Sequence, residues 1–123
     1  MRALIVDDSR TMRHILREIL QEVGWEVFEA GQGQEALACL RRIGKTELVL
    51  VDWNLPEMNG LEFVRAVRAM HDYDGIRLMM VTTEIGLPQM IKALEAGANE
   101  YVMKPFTKAV ILEKLNILGI GKA

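Results

Sequence analysis

Five short apolar runs alternate with five amphipathic segments along this chain, and this alternation restricts the fold more than any other feature. The apolar runs occupy residues 3–6, 26–30, 48–51, 78–81 and 101–103. Three of them are almost continuously apolar, which is typical of strands buried on both faces, as in a parallel sheet. The runs therefore predict five short strands of one parallel sheet.

The segments between the runs carry apolar residues at the three- and four-residue spacing of a helix. The first segment ends at Gly24, a residue type that commonly follows the last turn of a helix. In the fourth, Met90, Ile91 and Leu94 form the apolar stripe, and for Met90 and Leu94 both a position on the sheet and a position on an exposed surface remain open. The fifth follows Thr107, whose hydroxyl suits the N-cap position of a helix. Each predicted strand is thus followed by a predicted helix.

Five strand–helix units in 123 residues predict an α/β fold with a five-stranded parallel sheet. Crossovers between parallel strands are right-handed, and they place helices on both faces of the sheet. The chain contains no linker, internal repeat or low-complexity stretch, so we expect residues 1–123 to form a single domain.

Composition argues against several classes of function. The net charge is −2, and the arginines are interspersed with acidic residues, so nothing indicates binding to nucleic acid. The single cysteine, Cys39, excludes an intrachain disulfide and is interpreted as a small buried side chain. No apolar run approaches the roughly 18 residues of a membrane span, and no charged leader precedes the first strand. We therefore expect a soluble, cytoplasmic protein.

Polar residues follow four of the predicted strands, at the point where each strand ends. Asp7 and Asp8 follow the first strand, Asp52 the third, Thr82 the fourth and Lys104 the fifth. Ligands of open parallel sheets bind beyond the carboxyl ends of the strands, so these side chains are expected to converge. Carboxylates that converge without compensation repel one another. An oxygen-only ligand set relieves that repulsion best by holding Mg²⁺.

Asp52 is the best candidate for a nucleophile within this group. It is followed by a turn, Asn54-Leu55-Pro56, that leaves its carboxylate approachable. Aspartate carboxylates act as nucleophiles in enzymes that form an aspartyl phosphate. Lys104 and Thr82 would then supply a cationic and a hydroxyl donor to a phosphoryl group.

The motifs that carry these residues resemble the receiver domain of bacterial response regulators. They are "DD" after the first strand, "DWNLPEMNG" around Asp52, "VTT" at the fourth strand and "KPF" after the fifth. The match covers essentially the whole chain in order and spacing. The resemblance implies the flavodoxin-like strand order 2-1-3-4-5.

The resemblance also implies roles for the strand-end residues. Asp52 would be the phosphoacceptor. Asp8, Asp52 and the backbone carbonyl of Asn54 would bind Mg²⁺ directly, and Asp7 would bind it through water. Lys104 would pair with Asp52 and with its phosphoryl group.

Further residues are implied to transmit or time the signal. Thr82 would hydrogen-bond the phosphoryl group, and Tyr101 resembles an aromatic switch residue that turns inward as Thr82 moves. Asn54 and Glu84 would tune the rate of hydrolysis. The peptide bond between Lys104 and Pro105 is expected to be cis.

The same resemblance implies the binding partners of this chain. It is greatest to the single-domain receivers of chemotaxis. The phosphodonor would be a sensor histidine kinase, and the chain would catalyse only its own phosphorylation and dephosphorylation. The target would be a protein bound in a phosphorylation-dependent way, such as a flagellar motor switch protein, and a phosphatase is possible. The surface implied for the target comprises Met90, Leu94, Tyr101, Met103, Phe106 and Lys114.

Several alternatives remain open on sequence grounds. The chain could be a receiver excised from a larger regulator, or a stand-alone phosphorelay or interaction module. An aspartate-nucleophile phosphohydrolase of the haloacid-dehalogenase type is disfavoured, because it needs a second aspartate where this chain has Asn54. A flavodoxin is disfavoured because "DDSRTM" is acidic where a flavin phosphate would bind.

Overall fold

The computed structural model describes residues 1–121. Its strands are β1 (Arg2–Val6), β2 (Glu26–Ala30), β3 (Leu48–Val51), β4 (Arg77–Thr82) and β5 (Glu100–Met103). Its α-helices are α1 (Arg10–Glu22), α2 (Gly33–Ile43), α3 (Gly60–Arg68), α4 (Leu87–Ala96) and α5 (Lys108–Ile117). A short 3-10 helix, His71–Tyr73, lies between α3 and β4. The alternation predicted from the apolar runs is confirmed.

All five strands are parallel and lie in the order β2-β1-β3-β4-β5, which confirms the implied strand order. Val6 at the end of β1 pairs with Val51 at the end of β3. Asp7 and Asp52 directly follow these two strands, so the register places them at the same edge of the sheet. The topology therefore brings residues 45 positions apart to one place.

The sheet is buried on both faces because its side chains alternate between two hydrophobic cores. Leu4 and Val6 of β1 point into the core formed with α2, α3 and α4. Ala3 and Ile5 point into the core formed with α1 and α5. Cys39 is buried in the first core, and burial raises the pKa of its thiol. The two covered faces thus explain why the strand interiors are almost continuously apolar, with β3 entirely so.

Side-chain caps set where three helices begin. The Ser9 hydroxyl accepts a hydrogen bond from the Met12 amide at 3.2 Å and starts α1 directly after the two aspartates. Asn59 and Glu62 form a reciprocal capping box at the start of α3. Thr107 caps α5 as predicted, since its hydroxyl accepts from the Val110 amide.

Helix α4 differs from the predicted stripe. Its one fully buried residue is Ala93, while Ile91 and Leu94 are 44% and 46% exposed. Met90 is half-buried and packs against the core. A sheet-facing position is therefore wrong for Ile91, and of the two positions left open for Leu94 the structure shows the exposed one. The core reaches α4 through a small side chain, and two large apolar side chains are left facing outward.

Candidate functional site

Three carboxylates converge at the carboxyl end of the sheet. Oxygen atoms of Asp7, Asp8 and Asp52 all lie within 4.8 Å of one another. Asp7 and Asp52 are buried, at 2% and 7% exposed, whereas Asp8 is open to solvent. Strand ends hold two of the groups in fixed positions, and the third borders the entrance to the site.

Lys104 joins the two buried carboxylates. Its ammonium donates to Asp7 Oδ2 at 2.8 Å and to Asp52 Oδ2 at 2.9 Å. Burial disfavours the charged ammonium, but the hydrogen bonds to Asp7 and Asp52 outweigh burial and raise the pKa of Lys104. The lysine is therefore charged at neutral pH. The peptide bond from Lys104 to Pro105 is cis.

Backbone amides occupy the remaining buried carboxylate oxygens. The Ser9 amide donates to Asp7 Oδ1 at 2.9 Å, and the Asn54 amide donates to Asp52 Oδ1 at 3.2 Å. These contacts orient both carboxylates, and they bring the main chain of Asn54 against Asp52. One ammonium faces three carboxylates, so the site carries an excess of negative charge that a divalent cation would balance.

The chemistry of the donors fits a hard cation. Every candidate ligand is an oxygen, and the three carboxylates are close enough to share one ion. Oxygen ligands with an open, solvent-facing side suit Mg²⁺, which retains several water molecules when protein-bound. The residues present could thus hold the cofactor expected from the sequence.

Glu84 is the centre of a second group of contacts beside the carboxylates. Its amide donates to the hydroxyl of the fully buried Thr82 at 3.1 Å, and its carbonyl accepts from the Tyr101 hydroxyl at 2.7 Å. Its carboxylate accepts from Asn54 Nδ2 at 3.0 Å. The β4–α4 loop is therefore tied to β4, to β5 and to the loop after Asp52.

Tyr101 lies inward in this structure. Only 6% of its surface is exposed. Burial raises the pKa of the phenol, and the nearby carboxylates of Glu84 and Asp52 raise it further. The phenol is thus neutral at neutral pH, and its hydroxyl donates a hydrogen bond to the Glu84 carbonyl.

Sequence reasoning did not single out Gly60, which packs against the backbone of Asp52 and Trp53. A Cβ at this position would lie 2.2 Å from the Asp52 carbonyl oxygen and 2.8 Å from Trp53 Cα. The Gly60 amide donates to the Trp53 carbonyl at 2.8 Å. The one sign of Gly60 in the sequence was its place as the last residue of the motif "DWNLPEMNG". Trp53 itself is partly buried and packs against the first core.

Sequence reasoning also did not identify Arg13. Its guanidinium donates to the Asp7 carbonyl at 2.6 Å and to Glu29 Oε1 at 2.9 Å. No motif contains this residue, and its position off the apolar stripe of α1 is also that of an ordinary surface arginine.

The surface expected to bind a target surrounds a groove of about 370 Å³ between β5 and α5. Met103 is 51% exposed there, and Lys114 pairs with Glu100 at 3.1 Å. Met90, Tyr101 and Phe106 line the same groove. A second cavity, of about 400 Å³, lies beside Thr46 at the amino ends of the strands. None of the polar residues that follow the strands lines it.

Within residues 1–121, no helix is both long enough and apolar enough to cross a bilayer.

Residues 3–116 match the family of the response regulator receiver domain, and the chain belongs to that family. Its relatives include proteins of bacterial chemotaxis. The chemotaxis protein CheY homolog of Campylobacter jejuni subsp. jejuni serotype O:2 is 47% identical over 98% of this chain and 95% of its own length. Chemotaxis protein CheY1 of Helicobacter pylori strain J99 is 46% identical over 96% of each chain.

Solved structures agree with this placement. The chemotaxis response regulator CheY4 of Vibrio cholerae has a TM-score of 0.88 at 34% identity, covering 95% of this chain and 97% of its own. A probable two-component response regulator/GGDEF domain protein has a TM-score of 0.89 at 30% identity, and the match covers 98% of this chain but 50% of that one. The chain is a receiver domain of the CheY type.

Proposed function

We propose that the chain accepts a phosphoryl group on Asp52 and signals by its phosphorylated state. The observation that carries this proposal is the position of Lys104, whose ammonium bridges Asp7 and Asp52 beside a third carboxylate. A buried, oriented carboxylate next to a fixed cation is the arrangement that phosphoryl transfer needs, since that chemistry depends on alignment and charge neutralisation.

In the proposed step, a carboxylate oxygen of Asp52 bonds to phosphorus as the bond from phosphorus to the donor's histidine nitrogen breaks. The bonding electron pair stays with that nitrogen, and the product is an acyl phosphate. Lys104 neutralises part of the charge on the phosphoryl oxygens. Thr82 would donate a hydrogen bond from its hydroxyl to one of them.

Asp7, Asp8, Asp52 and the carbonyl of Asn54 are the residues that we propose would hold Mg²⁺. When bound, the ion would neutralise charge on the phosphoryl group during transfer. Asn54 and Glu84 are hydrogen-bonded to each other at the edge of the site, where a water molecule must approach. We therefore assign to these two side chains the tuning of hydrolysis.

The proposed donor is a sensor histidine kinase in the cytoplasm, and the proposed output is a phosphorylation-dependent contact on the surface formed by α4, β5 and α5. Exposed apolar side chains such as Leu94 and Met103 support that assignment. Because the relatives named above are chemotaxis proteins, we favour a flagellar motor switch protein as the target. The same receiver chemistry would apply if the domain were joined to an output domain, as in the GGDEF-containing structure.

Intact-mass analysis after incubation with acetyl phosphate tests the proposal. We expect one phosphoryl adduct on the wild type with Mg²⁺, a much smaller yield with EDTA, and no adduct on Asp52→Asn. Asp74→Asn is the control and should be modified like the wild type. It removes an exposed carboxylate in the segment before β4, at the other end of the sheet from Asp52. A folded wild type that stays unmodified would contradict phosphoryl transfer, and an adduct on Asp52→Asn would contradict the choice of nucleophile.

A further inference from the structure

Arg13 connects helix α1 to the backbone of the carboxylate cluster. Its Nη1 donates to the Asp7 carbonyl at 2.6 Å, and its Nε donates to Glu29 Oε1 on β2 at 2.9 Å. The Arg13 and Glu29 side chains are only 17% and 26% exposed. Arg17, one turn further along α1, pairs with the same Glu29 and donates to the Val27 carbonyl at 3.1 Å, so it does not touch Asp7.

The carbonyl that Arg13 holds belongs to the peptide group joining Asp7 to Asp8. The Asp7 amide is bonded to the Ala30 carbonyl at 3.1 Å, so Arg13 completes the fixation of this stretch of backbone. The Asp7 carboxylate has its own partners in Ser9 and Lys104. The exposed Asp8 carboxylate has no hydrogen-bond partner among the described residues, so the fixed peptide group before it is the restraint on Asp8 that these contacts provide.

Glu29 keeps the guanidinium in place. Partial burial would raise the pKa of this carboxylate, but the hydrogen bonds from Arg17 and Arg13 hold the pKa below its ordinary value. Glu29 is therefore ionised at neutral pH, and its two arginine partners are charged. The two-pronged contact of Arg13 is of the kind that a guanidinium makes and an ammonium cannot reproduce.

We propose that Arg13 is a positioning residue for divalent-cation binding, acting through the peptide group between Asp7 and Asp8. This inference rests on the proposed function, because it concerns the same Mg²⁺ site. Groups that orient metal ligands commonly change metal affinity by about 10–100-fold when they are removed.

A positioning role of Arg13 and a purely electrostatic role predict opposite effects of its removal on Mg²⁺ binding. A guanidinium close to a cation site repels the cation, so its removal should strengthen Mg²⁺ binding if charge alone matters. Loss of positioning should weaken binding instead. Arg17→Gln is the matched control, because it removes the same charge from the same Glu29 and leaves the Asp7 carbonyl bonded to Arg13.

The experiment is a Mg²⁺ titration of wild type, Arg13→Gln, Arg13→Lys and Arg17→Gln, without phosphodonor and followed by tryptophan fluorescence. Trp53 adjoins the site, while Trp25 precedes β2 at the opposite end of the sheet and supplies a constant background. Circular dichroism verifies folding, and the Mg²⁺-dependent rise in unfolding temperature gives an independent measure of binding. We expect Arg13→Gln to weaken binding about tenfold, Arg13→Lys to weaken it less, and Arg17→Gln to stay within about twofold of wild type.

Unchanged or tighter binding by folded Arg13→Gln would overturn the proposal, as would equal weakening by Arg17→Gln. If Arg13→Gln does not fold, Arg13→Lys decides, and wild-type affinity in that variant would overturn the proposal. A wild type that binds no Mg²⁺ would contradict the proposed function itself, which separates the two failures.

Discussion

Gly60 controls how closely the chain after Asp52 folds back onto the end of β3. Its Cα faces the Asp52 carbonyl at a distance that leaves no room for a side chain. The Gly60 amide closes the loop by donating to the Trp53 carbonyl. This close approach fixes the backbone of Asp52 and Trp53 against the start of α3.

Gly60→Ala should lower the free energy of unfolding by about 1–3 kcal/mol, because the methyl group would overlap main-chain atoms that cannot move independently. Urea denaturation measures the change. Gly75→Ala is the control, since no atom lies within 4 Å of a Cβ at that position, and its effect should stay within about 0.5 kcal/mol. A Gly60→Ala protein as stable as Gly75→Ala would show that the loop adjusts freely.

Arg68 holds several elements together at the end of helix α3. Its guanidinium donates to the Gly97 carbonyl at 3.0 Å, the Ile76 carbonyl at 2.7 Å and Asn99 Oδ1 at 2.9 Å. It also donates to the Tyr73 carbonyl at 3.1 Å. Burial lowers the pKa of this arginine, although the nearby charge of Asp74 acts in the opposite direction. At the scale of elements, one side chain connects α3 to the segments before β4 and β5.

Arg68→Met should therefore lower the free energy of unfolding by about 2–3 kcal/mol, since the apolar side chain fills the space but leaves several carbonyl groups without a donor. Arg65→Met on the same helix is the control. Arg65 is exposed, and the change there should stay within about 0.5 kcal/mol. Chemical denaturation of both variants makes the comparison, and equal stabilities would contradict the connecting role of Arg68.

Across the whole molecule, Glu84 connects the acceptor site to the proposed target surface. Phosphorylation would add about two negative charges beside Asp52. We propose that Thr82 moves to donate a hydrogen bond to the phosphoryl group, which would change the bond that its oxygen accepts from the Glu84 amide. The Glu84 carbonyl accepts a hydrogen bond from the Tyr101 hydroxyl, so a local charge at Asp52 would affect β5 and α4 through bonded neighbours.

Thr82→Ala should still be phosphorylated but should lose most of the conformational response. Hydrogen exchange with and without acetyl phosphate and Mg²⁺ measures that response over residues 84–103, and intact mass measures the adduct. Thr83→Ala, which removes the neighbouring exposed hydroxyl, is the control and should respond like the wild type. A full exchange response in phosphorylated Thr82→Ala would contradict the proposed coupling.

Much of the architecture was predictable because strands and helices are local consequences of residue spacing. The continuous apolar runs predicted buried parallel strands, and the strand ends were predicted to within one residue. Helix α4 was the exception in detail. Its period indicated a helix correctly, but periodicity cannot tell whether the apolar stripe packs on the sheet or faces a partner, and Ile91 and Leu94 face outward.

The sequence by itself determined the fold class, the family and the convergence of Asp7, Asp8, Asp52 and Lys104, since parallel strands end at one edge. Only the tertiary structure decided which groups hold those residues in place. Arg13 and Glu29 are 16 positions apart, and Arg68 and Asn99 are 31 positions apart. Their contacts depend on how helices pack beside strands, which residue type and spacing do not specify. The spacing of apolar residues can be read directly from the sequence. The orientation of long polar side chains, in contrast, is set by the packed core around them.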